Sequence, residues 1–231
     1  MNILVTGASK GIGYQLVKLY ADNPNNNIVA LARDFKLLQK LKKECQNNIH
    51  IYSIDFLADT FQSDFSNIIK QHKLHYDIIV NNAGYLINQP FLETTNSQVQ
   101  EVFQVNVYAP IFILQTLFPI LETNKGCHVI NIGSMGGYQG SSKFPGLSIY
   151  SASKSALANL TECLAEEFSP NNITINCLAL GSVQTEMLNT AFPGYKAQVS
   201  PQEIAKYIAD FSINGQKYFN GKIIPIAKIT P

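Results

Sequence analysis

Only four cysteines occur in the 231 residues (Cys45, Cys127, Cys163 and Cys177), far apart and with no CxxC pair. That spacing offers neither a zinc site nor a disulfide framework, and the four read as reduced, mostly buried thiols. Charge is also scarce: 14% of residues are charged and the net charge is +1. A chain so balanced lacks the long-range field that draws nucleic acid or a membrane surface, so neither partner is expected. No block of like charge appears, and Lys36, Lys40, Lys42 and Lys43 read as the solvated face of one helix. Long apolar runs are missing too. The longest, "APIFILQTLFPILE", is interrupted by Gln115, Thr116 and Pro119, short of the roughly 20 residues that span a bilayer. The start, "MNILVTGASKG", has no basic region and no small-residue cleavage site, so no targeting segment is expected and the location expected is cytoplasmic.

What is present is hydrophobic and finely alternated. Hydrophobic residues make up 46% of the chain, enough to bury a substantial core. Short β-branched runs at 2–6, 27–32, 49–54, 76–80, 127–132, 172–178 and 221–226 read as strands, and most are nearly continuous apolar runs. Such runs suit strands covered on both faces. Helical periodicity fills 12–22, 34–46, 61–72, 96–122, 150–168 and 201–212. Pro110 predicts a break or kink inside the fourth of these, and Pro225 predicts that the last strand is an edge. Seven strands alternating with helices, without repeat or linker, predict an α/β fold. The expectation is one Rossmann-type domain over 1–231, with a doubly wound, mainly parallel sheet and helices on both faces.

Ligands of such sheets bind beyond the carboxyl ends of the strands. "TGASKGIG" (6–13) falls there, between the first strand and the first helix. Gly7, Gly11 and Gly13 would let the backbone turn tightly and approach a pyrophosphate at a helix N-terminus. Alone, a three-glycine pattern can also be only a turn. A second strand built to bind NAD ends in an acid that holds the ribose 2′-hydroxyl. Here the strand ends "ALARD", with Ala32 at the position expected for the acid and Arg33 after it. Lys10 stands in the glycine loop. Two cations suit a 2′-phosphate, so NADP is favoured over NAD. In the competing register Asp34 is the acid; Asp34 reads better as the N-cap of the next helix.

"YSASK" (150–154) places Tyr150 and Lys154 one helical turn apart. By itself that is a common surface pair. Together with "TGASKGIG" and "NNAG" (81–84), in this order, it resembles the short-chain dehydrogenase/reductase family over nearly the whole chain. The resemblance implies an oxidoreductase that interconverts a carbonyl and an alcohol with a nicotinamide cofactor. It implies a catalytic set of Asn106, Ser134, Tyr150 and Lys154. A neighbouring cation favours the phenolate, so Lys154, together with the positive nicotinamide of the oxidised cofactor, is expected to lower the pKa of Tyr150 from about 10. Tyr150 would then exchange a proton with the substrate oxygen, Ser134 would hydrogen-bond that oxygen, Lys154 would also hold the nicotinamide ribose, and Asn106 would anchor a relay water. Further cofactor contacts implied are Ser9, Ile12, Asp55, Phe56, Asn82, Gly84, Val183 and Thr185.

The sequence departs from the family pattern in having Leu180-Gly181 where Pro-Gly is usual, and in its tail, "NGKIIPIAKITP". A substrate loop at 185–200 and a small-molecule substrate are expected, with Met135, Tyr138, Phe144, Leu147, Leu188 and Phe192 as candidate apolar lining. A homodimer through the helices at 107–122 and 150–168 is expected, with a tetramer as a further possibility. The alternative reading is a nucleotide-binding regulatory or scaffold protein that retains the fold without turnover.

Overall fold

Apolar residues divide between two cores along each inner strand. Ile3 and Val5 face one, Leu4 the other; Ile28 and Ala30 oppose Val29 and Leu31; Ile78 and Val80 oppose Ile79. Because successive side chains point to opposite faces, a continuous apolar strand must be covered on both. This computed structural model describes residues 1–45, 48–72, 74–121 and 126–228. The strands are β1 (Asn2–Thr6), β2 (Asn27–Ala32), β3 (Ile49–Ser53), β4 (Ile78–Asn81), β5 (Cys127–Ser134), β6 (Ile173–Leu180) and β7 (Ile223–Ile226). They form one sheet in the order β3-β2-β1-β4-β5-β6-β7, and every neighbouring pair is parallel. The order reverses between β1 and β4, which opens the crevice where doubly wound sheets take ligands.

Helices α1 (Gly11–Ala21), α2 (Phe35–Glu44) and α8 (Pro201–Asn214) contribute to one core; α3 (Phe61–His72), α5 (Ala109–Leu121) and α6 (Ser148–Glu167) contribute to the other. Local signals set several ends. Asp34 caps α2 by accepting from the Leu37 N–H at 3.1 Å, as its position in the sequence predicts. Ser200 and Glu203 form a capping box at α8, with Pro201 in its first turn. Pro225 lies in β7 at the edge of the sheet, where its missing N–H costs no inner ladder bond. The final residues of two predicted helices, 46 and 122, lie outside the described residues.

The predicted 96–122 helix is divided in three: α4 (Asn96–Phe103), a π-helical turn (Gln104–Tyr108) and α5. The Ala109 N–H reaches back to the Gln104 carbonyl. Pro110 has no N–H to offer Asn106 four residues earlier, and a π turn inserted before it absorbs the mismatch. The combined run Asn96–Leu121 is long and apolar enough to cross a membrane by length and composition, with mean hydropathy 1.4. In the fold it is a core helix, with Ile113, Leu114, Leu117 and Leu121 buried on the sheet. The stretch 185–200 holds one element that periodicity did not reveal, the short α7 (Glu186–Ala191), capped by Thr185.

Candidate active site

The loop after β1 and the loop after β4 are locked together at the crevice. The Thr6 hydroxyl accepts from the Asn82 and Ala83 N–H groups at 3.0 and 2.9 Å. The Asn82 side-chain amide donates to the Thr6 and Gly7 carbonyls at 2.9 and 3.2 Å. A Cβ on Gly13 would stand 2.4 Å from the Gly7 carbonyl oxygen, so the first turn of α1 can close on this loop only with glycine there. Asn82 therefore shapes the glycine loop with its amide, a role the ribose contact expected from the sequence does not capture. Thr6 was not singled out in the sequence; its place between "NILV" and the first glycine was the available signal.

The N-terminus of α1 carries no side-chain cap and no acidic residue in its first turn. Its orphan N–H groups and positive dipole end suit an anion. A cleft of about 440 Å³ opens beside it, lined among others by Ser9, Lys10, Gly11, Lys40, Thr185 and Glu186. Ile12 packs against the core below. Arg33 does not line this cleft. It stands exposed just past β2, near Tyr85, whose phenol burial and Glu101 push up against a smaller opposing effect of Arg33. Asp55 uses Oδ1 to accept from Leu57 N–H at 3.0 Å. Phe56 is buried with its ring edge-on to Phe61 at 4.9 Å, and its carbonyl accepts from Gln104 Nε2 at 3.1 Å, which leaves its backbone N–H rather than its ring for any ligand. Val183 is buried and bridges Val199, and Thr185 spends its hydroxyl on the Leu188 N–H at 3.2 Å.

Across the crevice, β5 ends at Ser134 and α6 begins at Ser148, so Ser134, Tyr150 and Lys154 meet beyond the strand ends. Ser134 Oγ accepts from the Gly136 N–H at 3.1 Å and lies close enough to the Tyr150 hydroxyl to favour its phenolate. Close approach of the 135–137 turn to α6 requires Gly137, where a Cβ would be 2.6 Å from the Lys154 carbonyl carbon and the Ser155 nitrogen. Lys154 is 3% exposed. Its Nζ donates to the Ile132 carbonyl at 2.8 Å and lies 5.9 Å from the Tyr150 ring centroid. A Cβ on Gly84 would be 3.6 Å from both Lys154 Nζ and Asn106 Oδ1, with the Met187 methyl at 3.8 Å. Residues from the loop after β4, the π turn, β5, α6 and α7 thus surround one space.

The electrostatics of the protein's own groups are set by burial. Burial pushes the Tyr150 phenol up to about 12, with Ser134 opposing it. Burial pushes Lys154 down to about 8. At the phenol desolvation outweighs the Ser134 contribution, and the Lys154 ammonium is directed to the Ile132 carbonyl. Asn106 is held by its own hydrogen bonds. Its Oδ1 accepts from Tyr85 N–H at 2.8 Å, and both protons of Nδ2 are used, on the Tyr85 carbonyl and Ser153 Oγ, each at 2.9 Å.

A family model described as short chain dehydrogenase matches residues 1–196. The chain belongs to the short-chain dehydrogenase/reductase family. Among its relatives, the 3-oxoacyl-(acyl-carrier-protein) reductase FabG of Chlamydia trachomatis is 25% identical, over 96% of this chain and 94% of that protein. A short chain dehydrogenase from Shigella flexneri complexed with NADP shares 26% identity, with a TM-score of 0.86 over 97% of this chain and 95% of that one. A 3-ketoacyl-(acyl-carrier-protein) reductase from Brucella melitensis complexed with NADH has the same fold, with 22% identity and a TM-score of 0.87 over 97% and 96% of the two chains. The protein is an NAD(P)-dependent oxidoreductase of this family, and the uncapped α1 N-terminus with its glycine cradle fits a dinucleotide.

Proposed function

We propose that this short-chain dehydrogenase/reductase uses NADP to interconvert a small carbonyl compound and its alcohol, with Tyr150 as general acid and base. The observation that carries the reading is the junction of Ser134, Tyr150 and Lys154 beyond the ends of the strands, beside the glycine loop. When bound, the nicotinamide supplies the hydride on reduction and a positive charge when oxidised. The Tyr150 phenol, held up to about 12, keeps its proton at neutral pH and gives it to the carbonyl oxygen in reduction. Ser134 hydrogen-bonds that oxygen as charge develops on it. Lys154, with its pKa near 8, is mostly charged at pH 7 and favours the phenolate that results.

Gly7, Ser9, Gly11, Ile12 and Gly13 form the proposed diphosphate cradle. Lys10 and Arg33 support the NADP reading, as does Ala32 where an NAD site places an acid. Asp55, Asn82, Gly84, Val183 and Thr185 are assigned to the rest of the cofactor, and Phe56 to it through its backbone N–H only. The whole chain 1–231 acts as one nucleotide-binding unit, with 185–200 as the substrate loop. It works as a cytoplasmic homodimer through 107–122 and 150–168.

The test is a panel of ketones, aldehydes and alcohols run with NADPH and NADP. Tyr150→Phe is expected to lower turnover about 10²–10⁴-fold. An unchanged rate on every compound the wild type turns over would overturn the acid–base reading, and no turnover of any compound would favour the regulatory or scaffold alternative. Arg33→Ala is expected to weaken NADP binding about tenfold or more while sparing NAD; equal loss of both would overturn the assignment of the 2′-phosphate.

A further inference from the structure

Ser153 sits between Tyr150 and Lys154 on α6 and is 0% exposed. Its hydroxyl donates to the Tyr150 carbonyl at 2.7 Å and accepts from Asn106 Nδ2 at 2.9 Å. Asn106, also 0% exposed, puts the rest of its amide on the Tyr85 backbone, with N–H and carbonyl both engaged. Three segments distant in sequence are thereby clamped: the loop after β4, the π turn and the first turn of α6. Gly84 lies beside the clamp, where a Cβ would come within 3.6 Å of both Asn106 Oδ1 and Lys154 Nζ.

We infer that Ser153 is a positioning residue for the proton transfer, setting the π turn and Lys154 against Tyr150 by holding Asn106. A serine hydroxyl has one proton, and Ser153 gives it to the Tyr150 carbonyl, so towards Asn106 it acts as acceptor. In a site closed to water the Asn106 N–H then has no replacement partner if that oxygen is removed. The π turn depends on such side-chain bonds because Pro110 withholds the donor that would place Asn106 in an ordinary helical ladder. A residue picked only for smallness beside a ribose would not need a hydroxyl; this position does.

The inference rests on the acid–base reading of Tyr150, and the experiment separates the two. Ser153→Ala, Ser153→Thr and Tyr150→Phe are assayed with NADPH and whichever panel compound the wild type reduces. Thermal midpoints and NADPH dissociation constants, from nucleotide fluorescence, are measured alongside. Ser153→Ala is expected to lower kcat about tenfold with KM and NADPH affinity changed less than about threefold, and to move the alkaline limb of the kcat profile by about one pH unit. Ser153→Thr, which keeps the oxygen, is expected to restore both. In an Asn106→Ala background, Ser153→Ala is expected to add no further loss, because the two act as one unit. A Ser153→Ala enzyme with wild-type kcat and pH profile would overturn the inference, even if its thermal midpoint fell. So would equal losses in the two Asn106 backgrounds, or a folded Ser153→Thr enzyme as impaired as the alanine variant. If Tyr150→Phe is as active as wild type, the acid–base reading fails instead.

Discussion

Two buried polar clusters lie against β5 at opposite ends. One joins Asn106, Ser153, Lys154 and Tyr150 beyond the carboxyl end of the strand. The other joins His128, Asn176, Ser212 and Tyr20 near its amino end. In the second, the Ser212 carbonyl is 2.9 Å from His128 Nδ1, Asn176 Nδ2 is 3.0 Å from His128 Nε2, and the Tyr20 and Ser212 hydroxyls are 2.7 Å apart. His128, Asn176 and Ser212 are all 0% exposed. A carbonyl can only accept, so His128 carries its proton on Nδ1 and takes the Asn176 amide proton on Nε2. Both clusters are well bonded, and of their members Tyr150 alone is partly exposed. Only the first opens on the crevice where the strand order reverses, and only there can a ligand be reached. Burial with satisfied hydrogen bonds is thus a property of core polar groups in general, and position relative to the sheet separates a site from a strut.

Variants can break this comparison if it is wrong. The largest effect is expected at Lys154→Met, which keeps the stem's packing and removes the charge. Turnover should fall about 10²–10⁴-fold with little loss of thermal stability, since a buried ammonium contributes little net; a calorimetric scan beside the assay checks both. At His128→Leu the outcome should be reversed. Stability should fall by about 3 kcal/mol, because Asn176 and Ser212 lose buried partners, while turnover per folded molecule is unchanged. Denaturant titration and active-site-normalised kinetics measure the two.

A smaller, graded effect sharpens the comparison by pH. Burial holds His128 down to about 4 from an ordinary 6.5. Between those values the unfolded chain binds the proton and the folded protein does not, so stability rises with pH across this window. It is fully present above about 6.5 and is lost as pH falls towards 4, by up to about 3 kcal/mol. Urea midpoints taken from pH 7 to pH 4 should show this slope in the wild type, and a shallower one in His128→Leu. Identical slopes would remove His128 as its cause.

Much of the fold was legible because its determinants are local or periodic. Continuous apolar strands such as "NILVT" and "NIVALA" announce coverage on both faces. Asp34 before "FKLLQKLKKE" announces a cap, and the structure has that cap. Pro110 located the interruption of the long helix but not its form, because proline forbids one hydrogen bond without choosing what replaces it. Helix α7 was not legible: six residues are too few for periodicity, and Thr185 alone supplies the start. The phenol and ammonium of α6 were placed correctly beside one another, but the desolvation that raises the phenol and lowers the ammonium was not legible. Sequence spacing reports distance along a helix and says nothing of how far both groups are taken out of water.

By itself, the sequence determined that a glycine-rich turn follows the first strand, that Tyr150 and Lys154 share a helix face, and that every inner strand needs two covers. These follow from chain geometry over a few residues, which no distant partner can change. Only the tertiary structure decided that Asn82 shapes the glycine loop, that Asn106 is bound to Tyr85 and Ser153, and that His128 is a strut. Each of these is a pairing of groups 21 to 84 residues apart. Such pairings exist because packing removes water and leaves each buried donor with one acceptor in reach.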